Sequence, residues 1–353
     1  MNHGGDIWTY GKIGELVDFS SNINPLGYPE GLLTKILEDF DSVHRYPDIQ
    51  YRALRGHLSE YLGADPENIV VGNGAMELID GILTSVKRVL IPVPSFVEYE
   101  LRAHIHGLEM VFLPMDKQLR PMLDIWGEYI RESRDASTAL VIANPSNPTG
   151  YVFTEEQMLE LIDLCQISQV ELILDETFVE FTDVNYDTIQ IASVFGFEGV
   201  SVIRAATKFF GIPGLRLGYG VTSSRMKAFL DQRLNPWSVN ALAEIAGSVL
   251  FQDRKYIDQT KQYIRKERSR MLNALSQLTF LKPYASDANF ILLKLHSMTA
   301  VELFEGALTR GLLLRTCDNY RGLDHHHIRV AVKSRSDNER LLQYLQEVNQ
   351  IGK

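Results

Sequence analysis

Cysteine is nearly missing from this chain. Cys165 and Cys317 stand alone among 353 residues, at no spacing that would build a disulfide framework or a tetrahedral metal site, so a reduced, cytoplasmic setting is expected. No apolar run approaches the roughly 20 residues needed to cross a bilayer. Met1-Asn2-His3-Gly4-Gly5-Asp6 has neither the charged nor the apolar region of a secretory leader. Positive charge is scarce as well: 45 acidic against 35 basic residues leave a net charge of -10, with no basic run interleaved with aromatics. That balance argues against nucleic acid as a partner, although a few local arginines can still attract a phosphorylated small molecule. Internal repeats, low-complexity tracts and flexible linkers are absent. Gly72-Asn73-Gly74 lacks the third glycine of a dinucleotide fingerprint, and no phosphate-binding P-loop pattern occurs.

What is present is rhythm. Between about residues 50 and 235, short β-branched runs (Ile69-Val70-Val71, Val89-Leu90-Ile91, Leu140-Val141-Ile142, Leu172-Ile173-Leu174 and Val200-Ser201-Val202-Ile203) alternate with amphipathic segments. Such alternation predicts an α/β fold, a mostly parallel sheet covered by helices on both faces, and 45% hydrophobic content suffices for a substantial core. Thr154-Glu155-Glu156-Gln157 reads as a capping box ahead of Met158, Leu161, Ile162 and Cys165 at helical spacing. Beyond Pro236 one long helical stretch is expected to about Leu278. Strands and helices follow, ending in a helix capped through Ser336-Asp337-Asn338-Glu339.

Three of the predicted strands end in residues with chemical potential: Asn147 in Asn144-Pro145-Ser146-Asn147-Pro148-Thr149-Gly150, Asp175 in Asp175-Glu176, and Lys208 in Thr207-Lys208-Phe209-Phe210-Gly211. Taken singly, these read first as turn, helix cap and surface lysine. Strand carboxyl ends are nevertheless where open α/β sheets collect ligands. A lysine beside a glycine-containing turn and Arg216 is what a Schiff-base enzyme needs for an aldehyde cofactor and its phosphate.

As an ordered set these motifs resemble the fold-type I pyridoxal-phosphate enzymes, the aspartate aminotransferase superfamily. The resemblance implies pyridoxal 5'-phosphate as cofactor, with Lys208 forming the Schiff base and then moving protons at the substrate α carbon. It also places Asp175 against the ring nitrogen, Asn147 at the phenolic oxygen and Arg216 on the phosphate. Gly74, Ala75 and Met76, ahead of an apolar helix, would offer backbone N–H groups to that phosphate, helped by Thr207, and Phe96 would stack on the ring. Ala75, Met76 and Ala205 depart from the hydroxyl or acidic side chains common there, and Phe178 stands where a phenolic hydroxyl is usual. Tyr46, in Arg45-Tyr46-Pro47-Asp48, would reach the cofactor of the opposite subunit, implying a homodimer. The expected organisation is an N-terminal segment, residues 1–40, packing with the small domain and active site; a large cofactor-binding domain, 41–236; and a long helix with a C-terminal small domain, 237–353.

Within that superfamily the chain resembles the histidinol-phosphate aminotransferases. It looks closer to the L-threonine-O-3-phosphate decarboxylases of cobalamin synthesis through His3-Gly4-Gly5, Asp18-Phe19-Ser20-Ser21-Asn22-Ile23-Asn24-Pro25-Leu26-Gly27, Phe178, Pro236-Trp237-Ser238-Val239-Asn240, and Asn319-Tyr320 through Asp324. That likeness implies decarboxylation of an O-phospho-L-amino acid, with Arg329 and Asn147 near the carboxylate end, Arg315 near the phosphate, and His3 and Gly4 closing over it. Threonine phosphate and serine phosphate stay open, since one methyl group discriminates weakly. A phosphate-substrate aminotransferase and a non-catalytic binding protein on the same fold also remain. His325-His326-His327 is not expected to bind metal, because neighbouring side chains on an extended segment point apart.

Overall fold

The strand runs alternate strictly between two cores, as a period of two requires of a sheet buried on both faces. Val89, Ile91, Val141, Ile173 and Ile203 pack on one side with the helix Ala75–Leu83. Leu90, Leu140, Ile142, Leu172, Leu174 and Val202 face the larger core on the other. The computed structural model describes residues 3–11, 14–134 and 137–351, so Met1, Asn2 and the last two residues, included in the expected domain bounds, lie outside the described residues.

The main sheet has seven strands, in the order Ile69–Gly72, Gly218–Val221, Val200–Ala205, Glu171–Asp175, Thr138–Ala143, Arg88–Val93, Glu109–Pro114. All are parallel except Gly218–Val221, which runs antiparallel to both neighbours. Two of these strands were not apparent in the sequence. Glu109–Pro114 is an edge strand whose side chains are mostly half-exposed, and Gly218–Val221 carries two glycines, which have little strand preference.

Helix ends follow local chemistry. The capping box Thr154/Gln157 is present at the start of Glu155–Ile167, with Met158, Leu161, Ile162 and Cys165 buried. The long stretch expected beyond Pro236 is instead two helices, Ala241–Leu250 and Arg254–Leu275, because Asn240 and Asp253 each cap a new start. The last helix, Arg335–Ile351, has its cap two residues earlier than expected: Ser334 Oγ accepts from Asp337 N, so Ser334 rather than Ser336 caps it.

C-terminal to the main sheet, Arg315–Thr316, His327–Ala331, Phe290–Leu295 and Leu281–Pro283 form a four-stranded antiparallel sheet in that order. The N-terminal segment ties itself to this region. Val17–Asp18 pairs in parallel with Leu312–Leu313, and Phe19 O accepts from Ala331 N at 2.9 Å. His327 is held by Asp324 Oδ1 at 2.7 Å and by the Tyr284 hydroxyl at 3.2 Å, while the His325 and His326 rings lie against each other. Among the described residues no helix is long and apolar enough to cross a membrane.

Candidate active site

Every parallel strand of an open sheet delivers its last residue to the same edge, so the motif residues converge. Lys208 follows Val200–Ala205 on a single helical turn, Asp175 ends its strand, and Asn147 follows Thr138–Ala143. They line a cavity of about 210 Å³ together with Ala75, Met76, Phe96, Thr207, Arg216, Arg315, Arg329, His3 and Gly4. Gly74 adjoins it at the start of Ala75–Leu83. Tyr46 does not line the cavity of its own chain: it is 79% exposed and stacks on Trp237 at 4.6 Å.

Asp175 is fixed on both carboxylate oxygens. Oδ2 accepts from the buried Tyr99 hydroxyl at 2.6 Å, and Oδ1 accepts from Thr177 N at 3.0 Å and Thr177 Oγ1 at 2.6 Å. Its neighbour Glu176 is fully buried and paired with Arg204 at 2.8 Å instead, so one acid of the dipeptide serves the pocket and the other the interior. Asn147 Oδ1 accepts from Arg329 Nη1 at 2.5 Å and from the Tyr320 hydroxyl at 3.3 Å. Those two donors fix the amide orientation and leave Nδ2 available to an acceptor in the pocket.

Lys208 is surrounded by cations. Burial, and then Arg329, Lys333 and Arg216, push its ammonium pKa down to about 8 from the ordinary 10.5. An amine that gives up its proton this readily is a usable nucleophile and proton carrier near neutrality. Arg216 lies so close over the helix start that a Cβ at Gly74, where φ is +85°, would sit 2.3 Å from its Nη2. No side chain caps that helix, so its first N–H groups remain available.

Arg315 and Arg329 are opposite one another in register on antiparallel strands, with only 1% and 5% of their surfaces exposed. Arg329 Nη2 donates to Ser20 O at 3.0 Å, while its Nε is buried with no partner. The N-terminal strap forms a further wall. Gly5 N donates to Ser20 Oγ at 2.7 Å, His3 Nε2 stands 3.0 Å from Glu98, and a Cβ on Gly4 would lie 2.1 Å from Ser20 O.

Several pocket residues carried no role in the sequence reading: Tyr99, Thr177, Ser20, Ser21, Asn22 and Tyr320. Asn22 Oδ1 is buried without a partner, an acceptor aimed at something other than protein. Its signal was the segment Ser20-Ser21-Asn22 itself. Tyr99 gave none, because its spacing is that of an ordinary core aromatic. Phe178 is confirmed at the pocket wall, packed edge-on against Phe290 at 5.1 Å, and supplies no hydroxyl.

This set fits pyridoxal phosphate. Gly74, the uncapped helix start, Arg216 and Thr207 could cradle its phosphate, Phe96 could offer an aromatic face, and Asp175, Asn147 and Lys208 could meet its ring nitrogen, phenolic oxygen and aldehyde.

The chain is similar to known proteins along nearly its whole length. A protein of Caldanaerobacter subterraneus subsp. tengcongensis provisionally named threonine-phosphate decarboxylase is 40% identical over 352 residues, 99% of this chain and 94% of the relative. The threonine-phosphate decarboxylase of Salmonella typhimurium is 35% identical over 355 residues, 98% of this chain and 96% of the relative. Among solved structures, the histidinol-phosphate aminotransferase from Clostridium acetobutylicum superposes with a TM-score of 0.89 at 34% identity, covering 95% of this chain and 99% of that one. The family profile described as aminotransferase class I and II matches residues 14–345, and the chain belongs to that family.

Proposed function

We propose that the protein is a pyridoxal-phosphate-dependent decarboxylase of an O-phospho-L-amino acid, converting L-threonine O-3-phosphate to (R)-1-aminopropan-2-yl phosphate or L-serine O-phosphate to ethanolamine phosphate. The observation that carries this reading is the pair of buried arginines in register, Arg315 and Arg329, beside Lys208. Such a pair suits a substrate with anionic groups at both ends and an amine between them. The two relatives named for this activity support it across the whole chain.

When bound, pyridoxal phosphate supplies an aldehyde for the substrate amine and a conjugated ring that takes up the electron pair left when a bond to the α carbon breaks. The chain does the rest. Asp175, braced by Tyr99 and Thr177, would keep the ring nitrogen protonated, and Asn147 Nδ2 would donate to the phenolic oxygen. Arg329 Nε and Asn22 Oδ1, both lacking protein partners, would be available to the substrate carboxylate and to a donor on the substrate respectively. Arg315, with His3 and Gly4, takes the phosphate. These contacts would determine which bond at the α carbon breaks. Were it the bond to the carboxylate, carbon dioxide would leave and the α carbon would gain a proton from Lys208 or water.

The protein acts in the cytoplasm as a homodimer. Large apolar side chains concentrate on the surface between Leu26 and Ile49, among them Leu33, Leu37, Phe40 and Val43, with Tyr46 within that patch. This supports Tyr46 reaching the partner's cofactor site.

A second reading, a histidinol-phosphate-type aminotransferase, is favoured by the 34% identical solved structure. The test is incubation of the cofactor-loaded protein with O-phospho-L-threonine and O-phospho-L-serine. Release of carbon dioxide with formation of the phosphorylated amine supports decarboxylation. Its absence, together with amino-group transfer from histidinol phosphate to an oxo acid, supports the second reading.

A further inference from the structure

Both substrate-facing arginines are held by the loop that joins their strands. Asn319 Oδ1 accepts from Arg315 Nη2 at 2.9 Å, and the Tyr320 ring lies 5.4 Å from the Arg315 guanidinium carbon. The Tyr320 hydroxyl meets Arg329 Nη1 and Asn147 Oδ1, each at 3.3 Å. The next residue leaves the small domain altogether. Arg321 donates through Nε to Glu100 Oε2 at 2.9 Å and through Nη2 to Glu100 Oε1 at 2.5 Å, with its guanidinium 4.3 Å from the Phe112 ring centre. Gly322 then packs so tightly, at φ +83°, that a Cβ there would lie 2.5 Å from Val93 Cγ1.

Glu100 sits on the helix Val97–Ile105, which begins just after Phe96 and carries Tyr99, the residue bonded to Asp175. We propose that Arg321 and Glu100 form a positioning clamp between the two domains, setting the Asn319–Tyr320 loop against the cofactor-side helix so that Arg315 and Arg329 keep the spacing a doubly anionic substrate needs. The inference rests on the substrate class proposed above.

An exposed ion pair contributes little to stability, and half of the Arg321 side chain is in solvent. Geometry is another matter. A two-pronged guanidinium–carboxylate pair stacked on an aromatic ring fixes orientation as well as distance, and lysine reproduces neither. Displacing an anchoring residue slightly weakens substrate placement even when the reacting groups are untouched.

The test uses the holoenzyme carrying Arg321→Ala, Arg321→Lys, Phe112→Leu or Glu100→Gln, and the reversed pair Arg321→Glu with Glu100→Arg. KM and kcat are measured for O-phospho-L-threonine, with inorganic phosphate as a competing probe. Arg321→Ala and Glu100→Gln should each raise KM about fivefold with kcat within about twofold, and weaken phosphate inhibition in step. Phe112→Leu should give a smaller rise in the same direction. Arg321→Lys should fall near the alanine variant, and the reversed pair should recover most of the loss. An unchanged KM, or a loss of thermal stability that the reversed pair does not repair, overturns the clamp. If the wild-type enzyme releases no carbon dioxide but transaminates histidinol phosphate, the substrate reading fails, and the KM split on that substrate then decides the clamp separately.

Discussion

Replacing Lys208 with methionine should make the apoprotein more stable, though it destroys the enzyme. The gap between about 8 and lysine's ordinary 10.5 corresponds to at most about 3 kcal/mol of unfavourable charge burial. Because the side chain is half-buried and opens on the pocket, water screens part of this, and about 1 to 2 kcal/mol is expected. Direction follows from proton counting. Between about pH 8 and 10.5 the unfolded chain keeps the lysine proton and the native chain does not, so wild-type stability rises with pH through that window and the penalty is full below it. Methionine fills a similar volume without the charge. Denaturant unfolding of both apoproteins should therefore place the variant midpoint higher at about pH 7, with the difference shrinking toward zero near pH 10.5. The variant should also stay colourless with pyridoxal phosphate and show no turnover. A variant less stable at neutral pH, or a gain independent of pH, would refute the claim that neighbouring cations and burial depress this amine.

Asp175→Asn should lower kcat at least about a hundredfold while leaving the fold intact, as measured by turnover and thermal unfolding. Tyr99→Phe, which leaves Asp175 its two Thr177 bonds, should cost about tenfold or less; a loss equal to that of Asp175→Asn would mean Tyr99 has a direct role. Arg315→Gln should raise KM for phosphorylated substrates far more than for their unphosphorylated forms, and equal effects on both would remove it from the phosphate end. Mixing Tyr46→Ala with Lys208→Ala subunits should restore activity that neither variant has alone, because one composite site per mixed dimer is intact. No recovery would place Tyr46 outside the active site.

The residues that chemistry dictates were legible because few side chains can do each task. Lys208, Asp175 and Asn147 each followed an apolar run, and the strands delivered them to one edge. Elements shaped by tertiary context were not. Glu109–Pro114 forms only because Arg88–Val93 offers an edge to pair with, and the two-glycine strand Gly218–Val221 is fixed by its two neighbours. The break at residues 251–253 depends on a single aspartate cap inside an otherwise helical pattern. Tyr99 and Tyr320 became site residues through contacts 76 and 173 positions away in the chain, which no local pattern encodes.

The facing arginines set a cost in stability against a use in binding. Like charges opposite each other on neighbouring strands destabilise a sheet, and here both are nearly excluded from water. Arg329 is satisfied only in part, by an amide, a hydroxyl and a main-chain carbonyl, and its Nε has nothing. Stability gives a fold no reason to leave that Nε unpaired, and an acceptor on a ligand in the pocket would satisfy it. In a protein of net charge -10, burial first and then Arg329, followed by Lys333 and Arg216, depress Lys208. A substrate anion that pairs with Arg329 would therefore also return to Lys208 part of the basicity that this cation removes. Substrate binding and proton transfer would then be coupled through Arg329, with the amine a better proton acceptor when the substrate is in place.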